Sequence, residues 1–180
     1  TVGTVEDALA FAAEVGYPVI LKADAGGGGR GMRRCADEAG LRRAFAEASA
    51  EAEAAFGSGA LYLERDLEGG RHVEVQVLGD GTDVVALGER ECTVQRRHQK
   101  LLEVAPSPSV TPETRERLLG HAERMAAGLS GLATFEFLLD ADGEVFFLAA
   151  NPRLQVEHTV TEEVTGVDLV AAQLEVALGA

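Results

Sequence analysis

Tryptophan is absent from this chain, aromatic residues fill only 5% of its 180 positions, and cysteine occurs twice. Cys35 and Cys92 stand far apart, with no Cys-x-x-Cys pair and no Cys/His ligand spacing, which argues against a disulfide framework and a structural zinc site. A reducing cytoplasm is the expected compartment. Positive charge is scarce as well: 16 Lys and Arg face 30 Asp and Glu, a net charge of −14. The summed field therefore repels nucleic acid and anionic lipid, and neither is an expected partner. Any anionic ligand must be held by a local cationic site. No stretch approaches the roughly 20 apolar residues of a membrane span, and no basic segment leads into an apolar one at the start. The first residue is Thr, and the chain opens just before one helical pattern and closes just after another. It is expected to be a piece of a longer protein.

With 46% hydrophobic residues and no low-complexity tract, the chain carries enough core for one or two compact lobes. Helical spacing of apolar residues from Val5 to Val15 predicts a first helix, and Val19-Ile20 after Pro18 opens a short strand ending near Lys22. A glycine loop follows, residues 25–31. Asp37 to Phe56 reads as one long Ala- and Glu-rich helix, and Leu61 to Arg65 as the next strand. From His72 to Val77 the pattern alternates, which predicts Val73, Val75 and Val77 toward a core and His72, Glu74 and Gln76 toward water. Asp80-Gly81 marks a hairpin turn with a return strand from Val84 to Glu89. Thr111-Pro112-Glu113 supplies an N-cap, a first-turn proline and an acid for a helix through about Leu129. Strands at Ala133–Leu139 and Glu144–Ala150 and a helix at about Val167–Leu178 complete an α+β pattern, distinct from a parallel doubly wound sheet.

Four features can carry chemistry. The glycine loop directly after a strand, with Lys22 beside it, allows close backbone approach and convergent N–H groups, which suits phosphate. It also fits a plain flexible loop, and it matches neither the Walker A nor the dinucleotide pattern. Glu136 sits within the apolar strand Thr134-Phe135-Glu136-Phe137, where an unpaired buried carboxylate is costly. A hairpin about Asp142 would place Phe147, Ala149 and Asn151 on one face beside it, so that a carboxylate and an amide oxygen could hold Mg²⁺ with nucleotide phosphates; an edge strand with Glu136 in water is the alternative. Arg153, Gln155 and Glu157 alternate, offering a cation, an amide and a base to a small anion or forming an ordinary solvated face. Gln95-Arg96-Arg97-His98-Gln99-Lys100 is a basic run in an acidic protein, either surface charge or the counter-charge for anions. His72 and His98 suit a structural hydrogen bond as well as a ligand role.

In order along the chain, Gly16-Tyr17-Pro18-Val19-Ile20-Leu21-Lys22, the loop closing in Gly29-Arg30-Gly31-Met32, Arg71-His72-Val73-Glu74-Val75-Gln76, the Gln95–Lys100 run, Thr134-Phe135-Glu136-Phe137-Leu138 and Asn151-Pro152-Arg153-Leu154-Gln155-Val156-Glu157-His158 resemble the biotin carboxylase family of ATP-grasp enzymes. The resemblance covers essentially the whole chain. It implies an ATP-grasp fold, with residues 1–66 a mobile lid lobe and 67–180 part of a larger lobe. It further implies ATP and Mg²⁺ (or Mn²⁺) as cofactors, with biotin a substrate carried on a partner domain. Lys22 and the loop glycines Gly27, Gly28 and Gly29 would hold phosphates, and the hinge residues Glu64, Arg65 and Leu67 would read adenine. Leu138 would pack on its ring, while His72, Gln95 and His98 would line the ribose and phosphate side. Glu136 and Asn151 would bind the metal. Bicarbonate would lie against Lys100, Arg153, Gln155 and the Val156 backbone, with Glu157 as general base and Arg153 stabilising developing negative charge. The implied partners are a biotin carboxyl carrier domain and a carboxyltransferase, in a homodimeric or larger parent.

The chain departs from the family pattern at Ala149, where a second metal-binding glutamate is expected. A methyl group cannot coordinate Mg²⁺, so weakened turnover is expected, and a degenerate non-catalytic nucleotide-binding domain is the competing reading. A milder departure is Ala25, where glycine is usual. A further phosphate-contacting lysine lies in the family before the point where this chain begins, and part of the biotin-side pocket after it ends. A carbamoyl-phosphate synthetase half is a third reading, against which the Gln95–Lys100 run argues.

Overall fold

The computed structural model describes residues 1–25, 32–96 and 99–179. It divides into two units, Thr1–Leu67 and Glu68–Ala180, each with its own hydrophobic core.

The first unit holds helix α1 (Val5–Val15), strands β1 (Val19–Ala23) and β2 (Arg33–Cys35), helix α2 (Glu38–Phe56) and strand β3 (Leu61–Arg65). Its antiparallel sheet has the order β2-β1-β3. Thr4 and Asp7 close a capping box at the start of α1, satisfying N–H groups that the first turn leaves free. Asp37 caps α2, and Gly57 ends it in the left-handed conformation that a side chain disfavours. Val19, Leu21, Leu61 and Leu63 face the two helices and pack on Ala8, Ala12, Leu41, Ala48 and Ala52. Lys22 therefore points to the other face, directly opposite Tyr62 on β3.

The second unit holds β4 (Arg71–Asp80), β5 (Val84–Arg96), β6 (Gln99–Val104), α3 (Pro112–Met125), β7 (Ser130–Leu139), β8 (Val145–Asn151), α4 (His158–Thr165) and α5 (Leu169–Leu178). Its five-stranded antiparallel sheet runs β6-β5-β4-β7-β8. Val73, Val75, Val77, Phe135 and Phe137 form one core face against Leu118 and Ala122 of α3. Thr111 caps that helix with Pro112 in the first turn.

Several sequence expectations are corrected. The face of β4 expected to be wet is buried: Glu74 and Gln76 are 0% and 1% exposed. Alternation distinguishes two faces but does not reveal that α4 and the β5 side chains cover the polar one. The expected hairpin return strand ends at Arg96 instead of Glu89, and the third helix stops at Met125, because Ala126–Leu129 makes a separate turn. Phe147 does not share a face with Ala149 and Asn151. A register shift near Leu148 pairs Phe147 with Phe137 and Ala149 with Glu136, which sends the phenylalanine to the core face, its ring edge-on to Phe137. Residues 153–157 are not extended either: Gln155 O accepts the His158 N–H in a turn that leads into α4. Strands β2 and β6 and helix α4 have no counterpart in the expected elements.

Candidate functional site

The polar face of the larger sheet gathers most of the second unit's expected site residues. Glu74 on β4 lies opposite Glu136 on β7 and Arg90 on β5, so strand pairing alone sets two carboxylates and a guanidinium side by side. Lys100, brought in by β6, donates from Nζ to Glu74 Oε2 and Glu157 Oε1, and lies 3.5 Å from Glu136 Oε1. One ammonium thus touches three carboxylates. Burial acts to lower the Lys100 pKa, but the Glu74 charge and the hydrogen bonds to Glu157 and Glu74 outweigh it and raise the value, so the lysine stays charged. For Glu157, burial acts upward, yet its hydrogen bond with Lys100 and the local charges hold it below the ordinary carboxylate range. Glu136 is likewise pushed up by burial and brought down further, to about 2, by His72, Lys100 and Gln155.

His72 receives a hydrogen bond at Nδ1 from Gln95 Nε2 (2.7 Å), whose same amide nitrogen donates to Cys92 O. The ring proton then belongs on Nε2, 3.2 Å from Glu136 Oε2. Asn151 Nδ2 donates to Glu136 Oε1 at 2.9 Å, which leaves the amide oxygen for another partner. Leu138 pairs with His72 across the sheet, and so shares its face. Gln155 is 8% exposed, with Nε2 at 3.5 Å from Glu136 and a buried Oε1 that has no hydrogen-bond partner among the described residues.

The expected metal ligands can be tested on this geometry. Glu136 and Asn151 meet, and Ala149 stands directly opposite Glu136 on β8. Two protein oxygens are few for an octahedral ion, but Mg²⁺ commonly keeps waters and phosphate oxygens around one or two protein ligands. The pair fits that kind of site. A Glu at 149 would face Glu136 across the strand pair.

Not every expected residue joins this cluster. Arg153 is exposed, and its Nη1 donates to Leu154 O; Val156 is 90% exposed. In the first unit, Lys22 is ion-paired with Glu64 and lies 5.8 Å from the centre of the Tyr62 ring. Arg65 ends β3 with an exposed side chain, and Leu67 follows it. Gly27, Gly28, Gly29 and His98 lie outside the described residues. Sequence reasoning missed Glu74, Arg90 and Thr161. An arginine among the apolar and acidic residues of Leu87–Cys92 was the available signal.

This strand-built cluster of carboxylates, amides and one lysine belongs to a known domain class. All 180 residues match the family described as carbamoyl-phosphate synthase L chain, ATP binding domain, and the chain belongs to that family. Within it the resemblance is to biotin-dependent carboxylases. The chain is 48% identical over 178 residues, 97% of its length, to pyruvate carboxylase from Aspergillus niger, and 49% identical over 177 residues to chloroplastic biotin carboxylase 2 from Populus trichocarpa. It spans 15% of the former and 34% of the latter. Among solved structures, the biotin carboxylase domain of Hydrogenobacter thermophilus 2-oxoglutarate carboxylase, in complex with MgADP, ADP and bicarbonate, superposes with a TM-score of 0.91 at 49% identity, covering 98% of this chain and 40% of that one. Campylobacter jejuni biotin carboxylase gives 0.93 at 46% identity, covering 99% and 41%. The α+β fold is that of a biotin carboxylase ATP-grasp domain.

Proposed function

We propose that the chain is the ATP-binding part of a ligase that carboxylates biotin with bicarbonate, ATP and Mg²⁺, working with a biotin carrier domain and a carboxyltransferase. The observation that carries this reading is the Lys100 ammonium held among Glu74, Glu136 and Glu157 beside Gln155 Oε1, which no described residue satisfies. That arrangement supplies a cation and a proton acceptor within one polar cluster, and Gln155 Oε1 has no hydrogen-bond partner among the described residues. Bicarbonate needs both the cation and the acceptor.

In this mechanism Lys100 and the Gln155 amide orient bicarbonate, and Arg153 turns in from its exposed position to stabilise negative charge. Glu157, kept ionised at neutral pH, accepts the bicarbonate proton. The bicarbonate oxygen attacks the γ-phosphorus, ADP leaves, and carboxyphosphate forms. Its breakdown gives CO₂ and a phosphate trianion; the phosphate takes the proton from the biotin ureido nitrogen, and that nitrogen adds to CO₂. The roles assigned to nucleotide contacts are Lys22 and the glycine loop for phosphates, Glu64, Arg65, Leu67 and Leu138 for adenine, and His72, Gln95 and His98 for the ribose and phosphate side. The first unit would act as the lid. Mg²⁺ held by Glu136 and Asn151 would neutralise phosphate charge.

Ala149 weakens this last function. Even an outer partner of a metal ligand is worth about 10–100-fold in affinity or activity, and a missing carboxylate ligand costs at least as much. Bicarbonate-dependent ATP cleavage, measured with and without biotin in the natural full-length protein and its Ala149→Glu form, is expected to be at least 10-fold faster in the glutamate form. Equal biotin-dependent rates would sink the metal argument but keep the function. Absence of cleavage in both would favour a degenerate nucleotide-binding domain, the reading that Ala149 itself supports.

A further inference from the structure

The largest fully buried side chain among the described residues belongs to a cation outside the assigned machinery. Arg90 is 0% exposed, and its guanidinium donates to three elements at once. Nε reaches Glu74 Oε1 at 2.7 Å, and Nη1 reaches Gln76 Oε1 at 2.9 Å and Thr161 Oγ1 of α4 at 2.7 Å. Nη2 lies 3.5 Å from Thr134 Oγ1 on β7. Burying so many polar contacts on a sheet face would be unnecessary if the only need were a core, since an apolar set is often as stable as a buried ion pair.

The contacts form a closed path. Arg90 holds one Glu74 oxygen, and Lys100 holds the other. Lys100 also holds Glu157, the residue that precedes α4, and Thr161 stands one helical turn further on, back against Arg90. Helix α4 is only 8 residues long, and Glu157 gives it no side-chain cap. A helix that short has little stability of its own. Its first turn is placed by what grips Thr161 and Glu157.

We propose that Arg90 is a positioning residue for bicarbonate activation: through Thr161 and through Glu74–Lys100 it fixes the first turn of α4, and with it the Glu157 carboxylate and the Lys100 ammonium. This rests on the biotin carboxylase reading. Arg90 touches no substrate. Its guanidinium fork reaches Glu74 from Nε and Gln76 and Thr161 from Nη1, a fixed spread of donors that the compact point charge of a lysine does not reproduce.

The test uses the natural full-length protein and its Ala149→Glu form, each carrying Thr161→Val or Arg90→Lys. Thr161→Val is nearly isosteric and removes one arm of the path. The expected result is a bicarbonate KM raised about 10-fold, with the ATP KM within about 2-fold of the unaltered protein and the thermal midpoint retained. Arg90→Lys should shift the same parameter further in the same direction, and Thr161→Ser, which restores the hydroxyl, should recover most of the loss. Equal changes in both KM values, no change, or no recovery with serine would overturn the positioning role while bicarbonate-dependent cleavage in the parent protein still upheld the function. Absence of that cleavage in both parent forms would overturn the two together.

Discussion

Glu91 is a buried acid surrounded by donors, and it sits on the sheet face opposite the candidate site. Ser107 Oγ donates to it at 2.6 Å, and Ser109, Arg71 and Thr93 also engage it. Burial pushes its pKa upward, but these four partners prevail and bring it down to about 2 from an ordinary 4.5. A lowered folded-state value means that the stabilisation is fully present above about pH 4.5 and is lost as the pH falls toward 2. The shift corresponds to about 3 kcal/mol. Glu91→Gln should therefore lower stability at neutral pH and flatten the fall in unfolding free energy between pH 4.5 and 2, as followed by urea denaturation. An unchanged acid slope would show that other groups carry it. At this scale the sequence was legible where a residue type clashed with its neighbours. Glu136 stood out because a carboxylate within Phe135-Glu136-Phe137 demands compensation. Glu74 did not, because His72-Val73-Glu74-Val75-Gln76 reads as ordinary alternation, and only the cover provided by Arg90 and Thr161 makes its polar side a buried site.

The elements themselves were read best where caps and glycines frame them. Thr4 and Thr111 cap the helices expected after them, Asp37, the expected first residue of the long helix, caps it, and Gly57 closes α2. The unread elements have weaker local signals. Strand β2 is three residues long, and β6 is an edge strand of mixed polarity whose partner β5 continues past its expected end. Helix α4 follows Arg-Leu-Gln-Val-Glu, whose alternation mimics a strand, and tertiary contacts override that pattern. One glycine inside a strand carries a further consequence. At Gly79 on β4 an added Cβ would lie 2.3 Å from the Leu129 carbonyl oxygen, in the turn between α3 and β7. That oxygen also accepts from the Gly81 N–H, so it cannot easily withdraw. Gly79→Ala should destabilise the second unit by about 1–3 kcal/mol, read from a lower urea midpoint with an unchanged slope.

Across the whole molecule, charge and site are in tension. The chain carries −14, and the cluster itself sets Glu74, Glu136 and Glu157 against Lys100 and Arg90, one negative charge in excess if the histidine is neutral. The proposed ligands, ATP and bicarbonate, are anions. Attraction must act over the few ångströms of direct contact, while repulsion from the acidic surface acts over longer distances. Salt separates the two. Between about 10 mM and 150 mM the screening length falls from about 30 Å to about 8 Å, which removes most of the diffuse repulsion and little of a contact near 3 Å. ATP binding at fixed Mg²⁺, measured by calorimetry over that range, is therefore expected to strengthen or stay level. The opposite trend, a tenfold weakening of the kind seen when a basic surface holds a polyanion, would mean that the cations at the site outweigh the acidic field of the chain well beyond contact range.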